Sequence, residues 1–256
     1  MEIIYLYVLI GLIGGITAGM LGLGGGIIFV PGLLLIHKNY LYFTGYELQA
    51  AVFTSIICII FAGSTSAFLH HKNQLINFQI VKRFSFYVTI GCFFGIYTLE
   101  HISTELLESI YSVILIILSL LLISDAKVIK NNIEIMQKLG KLYFFSNGMI
   151  SSLMGIGGGT LSVPYLSFII GDIKKSIATA SAIGIVIALT SIAFMYLLNS
   201  DIFSNKINHL SLFLIIPASI VGSYGGVYLL RVLNPKKVKN IFSTILIVIA
   251  VYLFFD

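Results

Sequence analysis

Two short glycine runs have the residue types and spacing to do chemistry: Gly22-Leu23-Gly24-Gly25-Gly26 and Gly155-Ile156-Gly157-Gly158-Gly159. Each interrupts a long apolar stretch. A glycine inside a helix costs about 1 kcal/mol relative to alanine, so three in a row break it. A new helix is expected after each break, over 27–36 and 160–170. The first N–H groups of a helix lack internal partners and carry the positive end of its dipole. Glycine lets a ligand approach that backbone closely. Two such ends brought together would hold a small anion. The candidate substrate-binding residues are therefore Gly22, Gly24, Gly25, Gly26 and Ile27 at the first break, and Gly155, Gly157, Gly158 and Gly159 at the second. Thr160 and Ser162 can add hydroxyl donors, as can Thr54, Ser55, Thr179 and Ser181 on the helices that follow.

Other chemistries find little support. No Ser/His/Asp or Cys/His constellation suggests catalysis, so no enzyme, catalytic residue or cofactor is expected. Cys58 and Cys92 sit in apolar runs without metal-ligand or disulfide spacing. The glycine runs are not nucleotide loops, because no soluble strand precedes either. Gly11, Gly15 and Gly19, the pair Gly91/Gly95 and the pair Gly222/Gly226 have the spacing of close helix packing. His70 and His71, beside Lys72, read as interfacial residues, with a proton or anion gate as the rival reading. Tyr40, Tyr42 and Phe43 read as interface anchors, and Glu47 as an ordinary acidic residue at a helix start.

The elements that must position these residues follow from composition. Of 256 residues, 58% are hydrophobic and only 10% charged, and the mean hydropathy is +1.04. A soluble domain carries about 25% charged residues, so lipid must solvate this chain. Six runs read as ordinary spanning helices: 48–69, 79–99, 106–124, 176–198, 209–230 and 238–255. Period-2 alternation, which a barrel needs, is absent. The broken runs, 3–36 and 142–170, are too long for one straight span. The N-terminus has no basic region or cleavage site and reads as a membrane segment of the mature protein. The net charge of +5 sits between apolar runs, where it reads as a topology signal and not as a nucleic-acid surface.

The chain is a duplication. Gly15–Pro31 aligns with Gly148–Pro164 at an offset of 133, with seven of 17 positions identical. Gly91, Gly95, Tyr97 and Leu99 match Gly222, Gly226, Tyr228 and Leu230 at an offset of 131. If all eight runs cross the membrane, the basic residues divide eight to seven. If each broken run returns to the side it came from, they divide 13 to 2, as the positive-inside rule expects. The first limb, about 3–21, is long enough to span alone; the charges require only an even number of crossings per broken unit. Three further crossings per half then insert the second half upside down. The expected fold is an all-α polytopic membrane protein of two inverted repeats, each a glycine-broken re-entrant or hairpin unit plus three transmembrane helices. The first repeat is 1–125, a cytoplasmic connecting loop is 126–140 and the second repeat is 141–256. Both termini lie outside, and the glycine turns enter from opposite faces and meet near the midplane.

At those turns the chain resembles the sulfite exporter TauE/SafE family, the transmembrane sulfur-compound permeases. The resemblance rests on Gly22-Leu-Gly-Gly-Gly-Ile-Ile-Phe-Val-Pro31 and Gly155-Ile-Gly-Gly-Gly-Thr-Leu-Ser-Val-Pro164, helped by Ala178-Thr179-Ala180-Ser181 and by Gly222 to Pro235. It covers essentially the whole chain. One departure stands out: members usually carry a glycine before the Thr-Ser pair, and here Phe53 precedes Thr54-Ser55. The resemblance implies transport of a small sulfur-containing or carboxylated anion, sulfite-like or an organosulfonate.

The expectation is a permease in the bacterial plasma (inner) membrane, working by alternating access. Its partners are a small anionic solute and the lipid bilayer, with no nucleic acid; homo-oligomerisation stays open. A non-transporting membrane partner or assembly protein, and a passive anion channel, are the rival readings.

Overall fold

The computed structural model describes residues 2–22, 24–40, 46–123, 133–198, 208–232, 244, 247 and 251. Among them run nine helices and no strand: α1 Glu2–Leu21, α2 Gly26–Tyr40, α3 Glu47–Lys72, α4 Phe78–His101, α5 Thr104–Ile123, α6 Ile133–Met154, α7 Gly159–Ile170, α8 Ile173–Leu197 and α9 His209–Val232. Five of these, α1, α3, α4, α8 and α9, are long and apolar enough to cross a membrane. The expected span 238–255 falls almost wholly outside the described residues. Helix α6 begins at Ile133, so its polar first turns belong to the segment 126–140.

Both long apolar runs split at their glycines, and the two helix pairs α1/α2 and α6/α7 result. Elsewhere polar residues set the boundaries. The Asn77 side chain accepts from the Gln79 and Ile80 amides at 3.1 and 3.2 Å and starts α4. Asp172 does the same for α8 through Lys174 and Lys175, at 2.8 and 3.2 Å. Pro31 and Pro164 lie inside α2 and α7, where each removes the backbone bond to the carbonyl four residues earlier.

The spaced glycines pack helices of one half onto the other. Along α1, Gly11, Gly15 and Gly19 meet Ile215, Ser219 and Ser223 of α9 in turn, so these helices run parallel. A Cβ on Gly15 would strike the Ser219 carbonyl, and one on Gly148 would strike the Val88 carbonyl. A Cβ on Gly222 would strike Leu12, and one on Gly91 would strike Phe145, again at carbonyl oxygens. Residues 15 and 148, like 12 and 145, are 133 apart; 88 and 219, like 91 and 222, are 131 apart. Each contact thus recurs with the halves exchanged, the reciprocity of a two-fold, self-complementary interface.

Helices α3 and α8 run antiparallel at the centre, joined where Ser66 Oγ and Ser181 Oγ stand 3.2 Å apart. Around them lies one buried core that includes Phe29, Phe53, Ile56, Ile59, Ile183 and Ile187. It clamps both glycine turns.

Candidate functional site

The two turns share one backbone conformation. Gly22, Gly24 and Gly25 have φ of +67°, +74° and +83°, and their counterparts Gly155, Gly157 and Gly158 have +64°, +80° and +71°. These left-handed values explain why the sequence needs glycine at these six places. The turns also touch. A Cβ on Gly24 would lie 3.3 Å from Gly157 Cα, and 3.3 Å from Ile59 Cγ2. Ile59 stands midway along α3, so the turns meet at mid-depth of the bundle. Gly26 packs on the Gly155 carbonyl, and a Cβ on Gly184 of α8 would lie 2.5 Å from the Gly157 carbonyl. Each turn leans on the opposite half: Gly22 on the Ile177 carbonyl, Gly155 on the Val52 carbonyl, residues 125 apart.

The polar candidates do not all come to the turns. Ser55 Oγ donates to the Gly155 carbonyl at 2.8 Å and ties α3 to the second turn. Ser181 Oγ lies 3.1 Å from a Cβ position on Gly22. Thr54 Oγ1 instead donates back to Ala50 in its own helix. Thr179 Oγ1 accepts from the Asn77 amide at 3.1 Å, which places it at the α3–α4 turn. Thr160 is buried at the start of α7, and its hydroxyl has no partner. Thr160 is the second residue of α7, two positions after the left-handed Gly158.

Asn147 and Ser151, which no sequence motif marks, also reach the second turn. Asn147 Nδ2 donates to Ser162 Oγ at 2.7 Å, and Ser151 Oγ donates to Asn147 Oδ1 at 2.8 Å. The same amide stands 3.4 Å from the Gly158 carbonyl. Their spacing of four residues in α6, within an apolar run, is a legible signal. At the matching positions of the first turn the described residues are apolar. Gly14, Ala18, Ile27 and Phe29 occupy the places of Asn147, Ser151, Thr160 and Ser162, and the Phe29 ring covers Gly14 and Gly25. The second turn thus carries polar side chains where its own helix pair in the first half carries apolar ones; the first turn's polar neighbours, Ser181 and Ser66, come from α8 and α3. The side chains gathered at the second turn are neutral; Ser55, Asn147 and Ser151 spend their donors on the turn and on one another, and the Thr160 hydroxyl stays unpaired.

His70 also departs from its sequence reading. It is buried, with Nε2 3.3 Å from the Gly19 carbonyl, whereas His71 is exposed and sets its edge against Phe78.

The family model described as sulfite exporter TauE/SafE matches residues 7–253. The chain is 26% identical to the probable membrane transporter protein YunE of Bacillus subtilis, over 97% of this chain and 96% of that one. It is 26% identical to a probable membrane transporter protein of Methanocaldococcus jannaschii, over 97% and 94%. A probable membrane transporter protein of Haemophilus influenzae is 26% identical over 73% of this chain and 71% of its own length. No solved structure matches to a significant degree.

Proposed function

The chain belongs to the sulfite exporter TauE/SafE family of membrane transporters, and from that premise we propose that it moves a small oxyanion, sulfite-like or an organosulfonate, across the bacterial inner membrane. The observation that carries this reading is the contact between two left-handed glycine turns at mid-depth, with the buried, partnerless Thr160 hydroxyl at the start of α7. A helix N-terminus and a neutral hydroxyl stabilise an anion without the cost of an intramembrane lysine or arginine. The reciprocal contacts between halves support inverted repeats that rock about this point, the general scheme of alternating access. The shared end of Asn73 and Lys174 supports an even number of crossings in the second broken unit, and the parallel course of α1 and α9 supports the same for the first; with the basic loops inside, both termini then lie outside.

The test is saturable uptake of labelled sulfite and a short sulfonate into proteoliposomes, comparing wild type with Thr160→Val. The substitution keeps the shape and removes a hydroxyl that makes no internal bond, so folding is retained. A hydrogen bond to a charged group is worth about 1.5–3 kcal/mol, so KM rises roughly tenfold or more. Wild-type uptake by Thr160→Val removes the hydroxyl from the site. No uptake by wild type at all overturns the anion-permease reading in favour of another solute.

A further inference from the structure

A cavity of about 430 Å³ opens between the end of α3, the start of α8 and the last turns of α9, lined by His70, Asn73, Leu75, Lys174, Val227 and Leu230. Its rim carries two lysines beside one carboxylate, that of the Asp172 cap. Lys174 and Lys175 occupy the first turn of α8, where the dipole is already positive. From its floor a line of polar groups leads inward. His70 Nε2 reaches the Gly19 carbonyl at 3.3 Å. About one helical turn deeper, Ser66 Oγ stands 3.1 Å from the Ala18 carbonyl and 3.2 Å from Ser181 Oγ. Ser181 in turn borders Gly22 of the first glycine turn.

The repeat supplies the comparison that gives this cavity meaning. At the offsets the reciprocal contacts define, His70 and Lys174 correspond to Met195 and Gln49, and Val227 and Leu230 to Ile96 and Leu99. Those four counterparts are buried: Met195, Ile96 and Leu99 are 0% exposed and Gln49 is 2% exposed; His70, Val227 and Leu230 are buried as well, at 1%, 5% and 6%, so that of the four pairs only Lys174/Gln49 goes from exposed to buried. Gln49 Oε1 also accepts from Thr104 at 3.2 Å, which ties α5 across the same place. The two equivalent positions thus differ at one pair: an exposed lysine, Lys174, stands where the other half buries a glutamine, Gln49, while an acidic residue, Asp172 or Glu47, begins the helix at each.

Resting on the permease reading above, we infer that the cavity is the solute's vestibule on the face bearing Asn73 and Lys174, that Lys174 draws a small oxyanion into it, and that the buried cluster around Gln49 and Ile96 is the equivalent mouth in its closed state. The chain is then caught open to its basic face. A cleft lined by one sign of charge raises the local concentration of counter-charged solute, so the two faces are not equally good at collecting an anion.

Cysteine accessibility tests this. The native Cys58 and Cys92 are buried and supply an unreactive background. Val227→Cys, with Leu75→Cys as a second reporter at the rim, is treated with sulfonatoethyl methanethiosulfonate, itself a sulfonate, and with its trimethylammonium analogue. Both reporters react from the Lys174-bearing face, while Ile96→Cys stays unmodified in the absence of solute. Adding Lys174→Gln slows the anionic reagent roughly tenfold and leaves the cationic one no slower. Modified Val227→Cys loses sulfonate flux. Two inert reporters, an anionic rate indifferent to Lys174→Gln, or full flux after modification each overturn the vestibule. Wild-type vesicles that carry no anion overturn the permease reading beneath it, whatever the labelling shows.

Discussion

Gly24 and Gly157 face each other so closely that a Cβ on either would stand 3.3–3.4 Å from the other's Cα, and both backbones are left-handed. One residue comes from each half of the chain. A side chain at either place meets two penalties: left-handed backbone, at about 1–2 kcal/mol, and a filled contact between the turns. Gly24→Ala and Gly157→Ala are each expected to insert, to melt earlier and to lose most flux in vesicles. Because both act on one contact, the double variant loses less than the product of the singles. Wild-type flux in either single variant removes the contact from the transport path.

Asn147 separates a positioning role from an electrostatic one. Asn147→Ala breaks the bonds to Ser162 and Ser151, and leaving buried polar groups unpaired costs about 1–3 kcal/mol. The expected result is a lower melting temperature with reduced flux. Asn147→Asp keeps the shape and can place a negative charge beside the second turn, so anion flux should fall further than in Asn147→Ala. Equal flux in the two variants would show that no anion passes there.

The packing glycines predict an order of stability. Gly15→Ala and Gly148→Ala each drive a Cβ into a carbonyl of the opposite half, Ser219 and Val88 respectively. Overpacking of this kind costs about 1–3 kcal/mol. Gly225→Ala meets nothing within 4 Å and should be neutral or slightly stabilising. Thermal unfolding followed with a thiol-reactive dye reads this directly, since Cys58 and Cys92 are buried until the protein opens. Similar melting by all three variants would contradict the reciprocal packing.

Sidedness follows from the same contacts. Asn73 and Lys174 line one cavity, while Lys38 and Glu108 form an ion pair at 3.4 Å where α2 ends and α5 begins. Cysteines at 73 and 174 should react with an impermeant reagent from one face, and cysteines at 38 and 108 from the other. Opposite labelling of 73 and 174 would restore the reading in which every apolar run crosses.

The sequence by itself determined the lipid environment, the helical class, the duplication and the two helix breaks, because these depend on local composition: few charges, runs of apolar residues and three glycines where one helix cannot continue. The four-residue spacing of Gly11, Gly15 and Gly19, of Gly91 and Gly95, and of Gly222 and Gly226 marks their packing faces as well. Tertiary structure decided what composition cannot hold. Thr54 and Thr179 each donate their hydroxyl to the carbonyl four residues back in their own helix, yet only Thr179 also accepts from the Asn77 amide and so caps a turn of the other half. Thr160 keeps its hydroxyl unpaired because no neighbour reaches it. Asn147 matters because the fold sets α6 against α7, and Lys174 matters because the start of α8 comes beside the end of α3. Spacing along one helix fixes which residues share its face; which residues of distant helices meet there depends on how the two halves close on each other.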